Sequence, residues 1–356
     1  MVLEFLNLLS EKTKVVYHSI LRHFFTIVYG SFIEADGGLN YQAQRYLKDN
    51  RRYQDDINNF VEHMKQNNNS YTIRMHLSVI RTFLNENDIE LPHRFWKGLG
   101  KRIKGTRAVT QDKIPTISEF KSILGYMPKW GRAYFLMLAT SGMRPSEALQ
   151  LKLSDIQLDT SPPKILLRAE YTKTGNSRFT FISAEAKEAL LEWLKEREIW
   201  IRSDSIKPEI SAIFPFKYID IYHLWRNATK ENGLRQSDPQ SGHQLLHPYV
   251  LRKFFRTNLG TASSIIPVDV IEALMGHEQY LRDVYKKYSD DQIAELYLKT
   301  EHTLSIFSNE MRIKMDSKID KLIAENQDFQ RRFAETDKLL GEVMQGLELL
   351  KSATRL

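Results

Sequence analysis

Apolar residues in the first hundred positions recur every three or four residues, in "TKVVYHSILRHFFTIVY", "QDDINNFVEHMKQ" and "YTIRMHLSVIRTFLNEN". That spacing is one face of an α-helix. Polar breaks at "EADGGLN" and "NNNS" separate the segments, so short antiparallel helices in a compact domain over about residues 1–105 are expected. A second domain, over about residues 114–308, starts at "IPTISEF", where Thr116 and Glu119 have the spacing of a capping box ahead of the helix "FKSILGYM". In "KILLRAEYTKTGNSRFTFIS" the helical period is lost. Residues 164–171 and 177–182 are rich in strand formers and "KTGN" carries turn chemistry, which predicts a β-hairpin with Lys173 near its tip. Helical spacing returns in "AEAKEALLEWLKEREIWI", in "VLRKFFRTNLG" and from Val268 onward. The fold class is mostly α: a helical N-terminal domain, then a mainly helical α/β domain with a small antiparallel sheet.

The last segment, 309–356, has its own pattern. Ile319, Leu322, Asn326, Phe329, Phe333, Thr336, Leu340, Val343, Leu347 and Leu350 alternate three- and four-residue steps, the seam of a coiled coil with polar breaks at Asn326 and Thr336. Gly341 and Gly346 weaken that seam, so an amphipathic helix docking on its own or a neighbouring subunit is the other reading.

Composition changes the picture in four respects. A chain of 356 residues exceeds what one core usually organises, in keeping with two domains. A formal charge of +7 and a pI near 9.2 favour a polyanionic partner. The charge concentrates in "RFWKGLGKRIKGTRAVTQDK", which carries seven basic residues against one acidic, with glycines at 98, 100 and 105. It reads as a basic linker reaching to about residue 113, and Lys97, Lys101, Arg102, Lys104 and Arg107 are candidate contacts to a phosphate backbone; the plain alternative is a solvated charged face. Finally, the absence of cysteine excludes disulfides, thiolate catalysis and cysteine-ligated zinc, and is compatible with the cytoplasm.

No apolar run approaches ~18 residues and the opening "MVLEFLNLLSEKTK" lacks a basic n-region, so neither a membrane span nor a secretory signal is expected. There is no Walker-type glycine loop and no tight carboxylate or histidine cluster with ligand spacing, so no cofactor and no metal are expected. The lone histidines, His18, His63 and His302 among them, read as surface or core residues.

Candidate chemistry begins with "TSGMRPSEALQLKLSDI". Gly142 relaxes the backbone and Pro145 suits a first helical position, so Arg144 stands at a helix start, where it can present a planar fork to an oxyanion; an ordinary surface pair with Glu147 is the alternative. Further along come "TKTGN" with Lys173, "YVLRKFFRT" with Tyr249 and Arg252, "LMGHEQ" with His277, and "DVYKKYSDDQ" with Tyr285. In this order and at these separations the chain resembles the tyrosine recombinase or integrase family, over the whole second domain, and the first domain looks like that family's core-binding domain.

The resemblance implies a site-specific DNA recombinase, with double-stranded DNA as partner, a tetramer on two sites and a cytoplasmic, nucleoid-associated location. It implies Arg144 and Arg252 as a clamp on the phosphorane-like transition state, a task suited to charge-assisted bidentate bonds. Glu147 would orient the site, Lys173 would protonate the departing 5′ oxygen, and His277 would hydrogen-bond the scissile phosphate. Tyr285 would form a covalent 3′-phosphotyrosine; its phenol needs cationic neighbours to act as a nucleophile at neutral pH. "YKKYSDD" matches the family's nucleophile phrase with Tyr285 first, eight residues beyond His277 and one fewer than is common. Tyr288 is the alternative nucleophile, while Tyr280 and Tyr297 read as packing aromatics. Residues 290–304 are the candidate for exchange with an adjacent protomer.

One departure stands out. Where the family commonly has histidine three residues before the second arginine, this chain has Tyr249, as archaeal-type members vary this position. A phenol donates to phosphate but is a poor base, so the nucleophile's proton acceptor is open; His247 could stand in only if the chain is not helical there. Two other readings remain: a type IB topoisomerase-like strand transferase, and a catalytically silent DNA-binding or accessory protein of the same fold.

Overall fold

The computed structural model describes residues 2–31, 38–49, 51–103, 112–203, 211–239, 242–277, 284, 287–307, 329–333 and 336, and the side chains of all of these except 200–203. The chain divides into two units, residues 1–111 with 238–243, and residues 112–237 with 244–356.

The described part of the first unit contains helices α1 (Glu11–Tyr29), α2 (Gly38–Lys48), α3 (Tyr53–Lys65), α4 (Ser70–Asn85) and α5 (His93–Arg102). Small polar residues start two of them: Ser10 accepts the Thr13 N–H and Asn69 the Thr72 N–H, satisfying amides that have no partner within the helix. Phe24, Phe25, Tyr46, Phe60 and Phe83, drawn from α1 to α4, are fully buried, with Phe24 set edge-on to Tyr46 at 5.4 Å and to Phe60 at 5.3 Å. Burial of each such ring contributes about 1.5–3 kcal/mol.

The stretch expected as a linker is helical from His93 to Arg102. Leu99 is buried and Phe95 and Trp96 pack against the same core, which outweighs the low propensity of Gly98 and Gly100. Arg74 closes this helix by donating Nη2 to the carbonyls of Gly100 and Ile103 at 3.0 and 2.8 Å. Lys97, Lys101 and Arg102 are exposed on it, Arg102 held to Asn58; Lys104 and Arg107 lie outside the described residues.

In the second unit, α6 (Ile117–Gly125) opens with the expected capping box, Thr116 accepting the Glu119 N–H and Glu119 the Thr116 N–H. Helix α7 (Lys129–Ser141) is the centre of the unit. Every residue from 133 to 141 is buried, as its all-round apolar sequence requires, and α9 (Ala184–Ser203) and α11 (Val250–Gly260) pack against it. The hydroxyls of Thr140 and Ser141 return to the carbonyls of Leu136 and Met137, so these polar groups are satisfied in the core. The one-turn helix α8 (Pro145–Ala148) follows, and α10 (Tyr218–Glu231) and α12 (Val268–Met275) complete the cluster.

The sheet is three-stranded and antiparallel, β1 (Ile156–Gln157), β2 (Lys164–Leu167) and β3 (Arg178–Phe181), in sequence order, with Leu167 opposite Arg178 and Ile165 opposite Thr180. Its strands are shorter than the expected hairpin. Residues 169–171 form a 3-10 turn because Asp155, a buried carboxylate, accepts from Arg168 Nε at 2.7 Å and from the Tyr171 hydroxyl at 3.0 Å, drawing the chain off the ladder. Strand β1, two residues long, leaves no periodic signature in the sequence. The architecture is mostly helical with one small antiparallel sheet, as the apolar spacing predicts.

After Ser289, which caps the helix, α13 (Asp290–Thr300) and the 3-10 turn Glu301–Leu304 fold onto the same unit. Tyr297 is fully buried and donates its hydroxyl to the Thr140 carbonyl at 2.7 Å. The Glu185 carboxylate accepts the backbone N–H groups of Ile306 and Phe307 at 2.8 and 3.0 Å, and Glu301 accepts the Ala184 N–H at 2.6 Å. The segment read as a candidate for exchange is thus seated on its own chain. Apart from 329–333 and 336, the coiled-coil seam lies outside the described residues. Among the described residues no helix is long and apolar enough to cross a membrane.

Candidate active site

Helix α7 ends at Gly142, whose φ of 64° and contact with Phe255 both exclude a side chain: a Cβ would lie 2.4 Å from that ring. The released chain turns through Met143 to Arg144, which is extended, as the residue before a proline prefers to be, and Pro145 begins α8. The Gly142 carbonyl accepts Nη1 of Arg252, on the first turn of α11, at 2.5 Å. A glycine that lets two helices meet thereby fixes where the second arginine sits.

Glu147, completely buried, is the hub of the cluster. It accepts the Arg144 backbone N–H and Arg144 Nη1, both at 2.7 Å, and Nη2 and Nη1 of Arg178 at 2.7 and 3.3 Å. Burial opposes the Glu147 charge, but Arg178 and then Arg144 outweigh it and hold the carboxyl below its usual range. For Arg144, burial is likewise overcome by the bond to Glu147, with help from Tyr249, and its guanidinium is held more firmly protonated.

Arg252 is in the opposite position. It is 3% exposed, and its Nη2 is buried with no hydrogen-bond partner among the described residues. Burial, then repulsion from Arg144, pushes its pKa down to about 10, against the pull of Tyr249 and Glu147; Arg178 adds to the repulsion. Three guanidinium groups, Arg144, Arg178 and Arg252, therefore share one carboxylate. A buried, unpartnered donor in a region of excess positive charge fits a bound oxyanion.

Tyr249 stands directly before α11, 42% exposed and beside Arg144 and Arg252. His247 lies outside the helix, and its Nε2 is engaged by Asp112 at 3.2 Å; the same carboxylate holds Lys253 at 2.6 Å. Burial disfavours the Asp112 charge, yet Lys253 and His247 together hold it below the ordinary carboxylate range.

His277 follows Gly276, the left-handed C-cap of α12 with φ 79°. Its Nδ1 is hydrogen-bonded to Oε2 of Glu272, whose Oε1 accepts Nε of Arg256 at 2.5 Å. Gly276 packs directly on Arg178. Lys173 is exposed on the turn before β3. Tyr285 lies outside the described residues, as does Tyr280; Tyr288 is half-buried against the core with Lys287 over its ring at 5.2 Å.

The structure thus brings Arg144, Glu147, Tyr249 and Arg252 into one electrostatic cluster and joins the His277 segment to it through Arg178. It leaves Lys97, Lys101 and Arg102 on the other unit. Two residues escaped the sequence reading, Arg178 and Glu272. Each has a signal in hindsight: an arginine in the apolar strand "RFTF" and a glutamate within "VIEALM" both need a buried ionic partner. Among the described residues no group of three or more His, Asp or Glu is arranged to hold a metal ion.

Comparison with known proteins adds the lineage. The chain is 27% identical over 259 residues to the tyrosine recombinase XerD of Rickettsia bellii (strain RML369-C), a match over 67% of this chain and 80% of that protein. The fold is similar to that of lambda integrase residues 75–356 in a crystal structure of a dimer bound to a COC′ core site, with a TM-score of 0.51, 15% identity, and coverage of 79% of this chain and 95% of the other. A second structure of a lambda integrase dimer on a COC′ core site gives a TM-score of 0.50 at 16% identity, covering 83% and 75%. A profile of the phage integrase family matches residues 107–294, a little over half of the chain and the whole span of the cluster above. The chain belongs to the phage integrase family, the tyrosine recombinases.

Proposed function

We propose that the protein is a site-specific recombinase that cuts and rejoins DNA through a 3′-phosphotyrosine. The observation that carries this reading is the buried, unpartnered Nη2 of Arg252 beside Arg144, in a cluster with three guanidinium groups and one carboxylate. Two forks aimed at the non-bridging oxygens of a phosphodiester stabilise the charge that develops there, and loss of one such donor typically costs about 10²–10³ in rate.

The phenol of Tyr285 gives its proton to water, and its oxygen forms a bond to phosphorus as the bond from phosphorus to the 5′ oxygen breaks. Lys173 gives its proton to that oxygen, and His277 donates to the phosphate. The phosphoester is conserved in the covalent intermediate, and attack by a 5′-hydroxyl from the second duplex reverses the step and joins the strands. The first unit serves as a clamp on the duplex, with Lys97, Lys101, Arg102, Lys104 and Arg107 against the backbone, and four protomers gather two sites.

A nicked suicide duplex tests this directly. Wild-type protein should give a denaturant-resistant adduct that Tyr285→Phe abolishes and Tyr288→Phe retains; loss in Tyr288→Phe alone would move the nucleophile. Joining of two separate duplexes distinguishes a recombinase from a topoisomerase-like transferase, and no adduct on any duplex would leave a silent DNA-binding protein of this fold.

A further inference from the structure

Arg178 opens β3, a strand whose four residues are all buried, and its side chain is 1% exposed. Its fork closes on Glu147 through Nη2 and Nη1, while Nε donates to the Leu274 carbonyl of α12 at 3.2 Å. On its other side lies Gly276, so near that a Cβ there would sit 2.6 Å from Cζ and from Nε. One guanidinium on the strand that follows the Lys173 turn therefore touches Glu147 of the short helix that Arg144 precedes and the end of the helix before His277.

We propose that Arg178 is a positioning residue for strand transfer: through Glu147 it sets the Arg144 fork, and through Leu274 and Gly276 it sets the backbone from which His277 projects. This rests on the reading of the site as a phosphodiester clamp. Arg178 itself does not reach DNA, since its side chain is buried and each of its three nitrogens already donates a bond within the protein. Its bonds to Glu147 and to Leu274 require a planar fork with a further N–H donor, on Nε, in the same plane, which a lysine does not supply.

The same geometry fixes the charge state of Glu147. The titratable and charged groups around that carboxylate are Arg144 on its own short helix, Arg178 from the sheet and Arg252 from α11, with Tyr249 beside the two outer arginines. From α7, Tyr134 faces α8 and donates its hydroxyl to the Pro145 carbonyl at 2.7 Å; α12 presents the Leu274 carbonyl and Gly276. With Arg178 removed, burial dominates and Glu147 takes up a proton at higher pH, releasing Arg144.

The test uses the full chain and a nicked suicide duplex, selected by covalent capture on wild-type protein from a random-sequence pool. Adduct rate, duplex affinity and melting temperature are measured for wild type, Arg178→Met, Arg178→Lys and the pair Arg178→Met with Glu147→Gln. Between pH 8 and pH 6, the rate of Arg178→Met relative to wild type should fall a further tenfold or more with duplex affinity within threefold. Arg178→Lys, which keeps charge without the fork, should lose about tenfold in rate with no added pH dependence, and the double variant should be slow with a flat ratio. A folded Arg178→Met with wild-type rate and pH profile overturns the proposal, as does a pH-independent loss that merely tracks the melting temperature. If Arg178→Met does not fold, a wild-type rate from Arg178→Lys overturns it instead. Failure of wild type to capture any duplex sinks the clamp reading rather than this one.

Discussion

Glu272 and His277 face each other across the end of α12, with Oε2 of the carboxylate hydrogen-bonded to Nδ1 of the ring. Burial opposes the charge of Glu272, but Arg256 and His277 outweigh it and keep the carboxyl below its usual range. An ionised carboxylate only accepts, so Nδ1 carries a proton, and the other ring nitrogen, Nε2, donates to a phosphate oxygen when it is protonated as well. Glu272→Gln removes that charge and should slow adduct formation by about tenfold or more at neutral pH with little change in DNA affinity. Unchanged single-turnover kinetics in this variant would show that the ring is oriented by other means.

Gly142 is where backbone geometry and the arginine cluster meet. Its left-handed φ and the Phe255 ring against it leave no room for a methyl group. Gly142→Ala should destabilise the second unit by at least about 2 kcal/mol, from strain and overpacking together. Denaturant titration followed by tryptophan fluorescence reads this, and a midpoint equal to wild type would contradict it.

Tyr249 and Arg252 differ in kind although they are three residues apart. The phenol is partly exposed and supports its neighbours' charge, whereas the guanidinium is buried and tethered to Gly142. Tyr249→Phe should reduce cleavage modestly, by about tenfold or less, and Arg252→Ala should abolish it. Equal, near-wild-type activity in both would mean that this segment has been assigned to the wrong chemistry.

The first unit has a separate pH response. The rings of His23 and His76 pack on Phe60, with His23 at 6.3 Å from His63 and 5.8 Å from His76. Burial, then the neighbouring ring, lowers the pKa of His23 and of His76. The unfolded chain therefore binds protons that the folded unit resists, so stability is full above about pH 6.5 and declines as pH falls below it. Melting of the full chain at pH 7.5 and 5.5 should show this decline, and His23→Gln should reduce it; an identical decline in the variant would place its origin elsewhere.

Much of this arrangement was legible in the residues. The capping box at Thr116 and Glu119 and the helix start at Pro145 depend on local backbone chemistry, and both form as the sequence predicts. The sheet was read as too long because Asp155, thirteen or more residues away from its partners, bends the chain at Arg168 and Tyr171. Arg178 was missed because its partner Glu147 is thirty-one residues away and belongs to another element. Helical spacing also lost to composition at 93–102, where glycines and charge suggested a linker while Phe95, Trp96 and Leu99 carried the face that packs.

The bonds of Glu185 to Ile306 and Phe307, and of Glu301 to Ala184, have a consequence for assembly. An identical neighbour offers an identical carboxylate, so handing the segment across replaces every bond it breaks and changes the enthalpy little. Were copies of the chain held close together, the balance between a segment kept at home and one handed across would turn on that proximity alone.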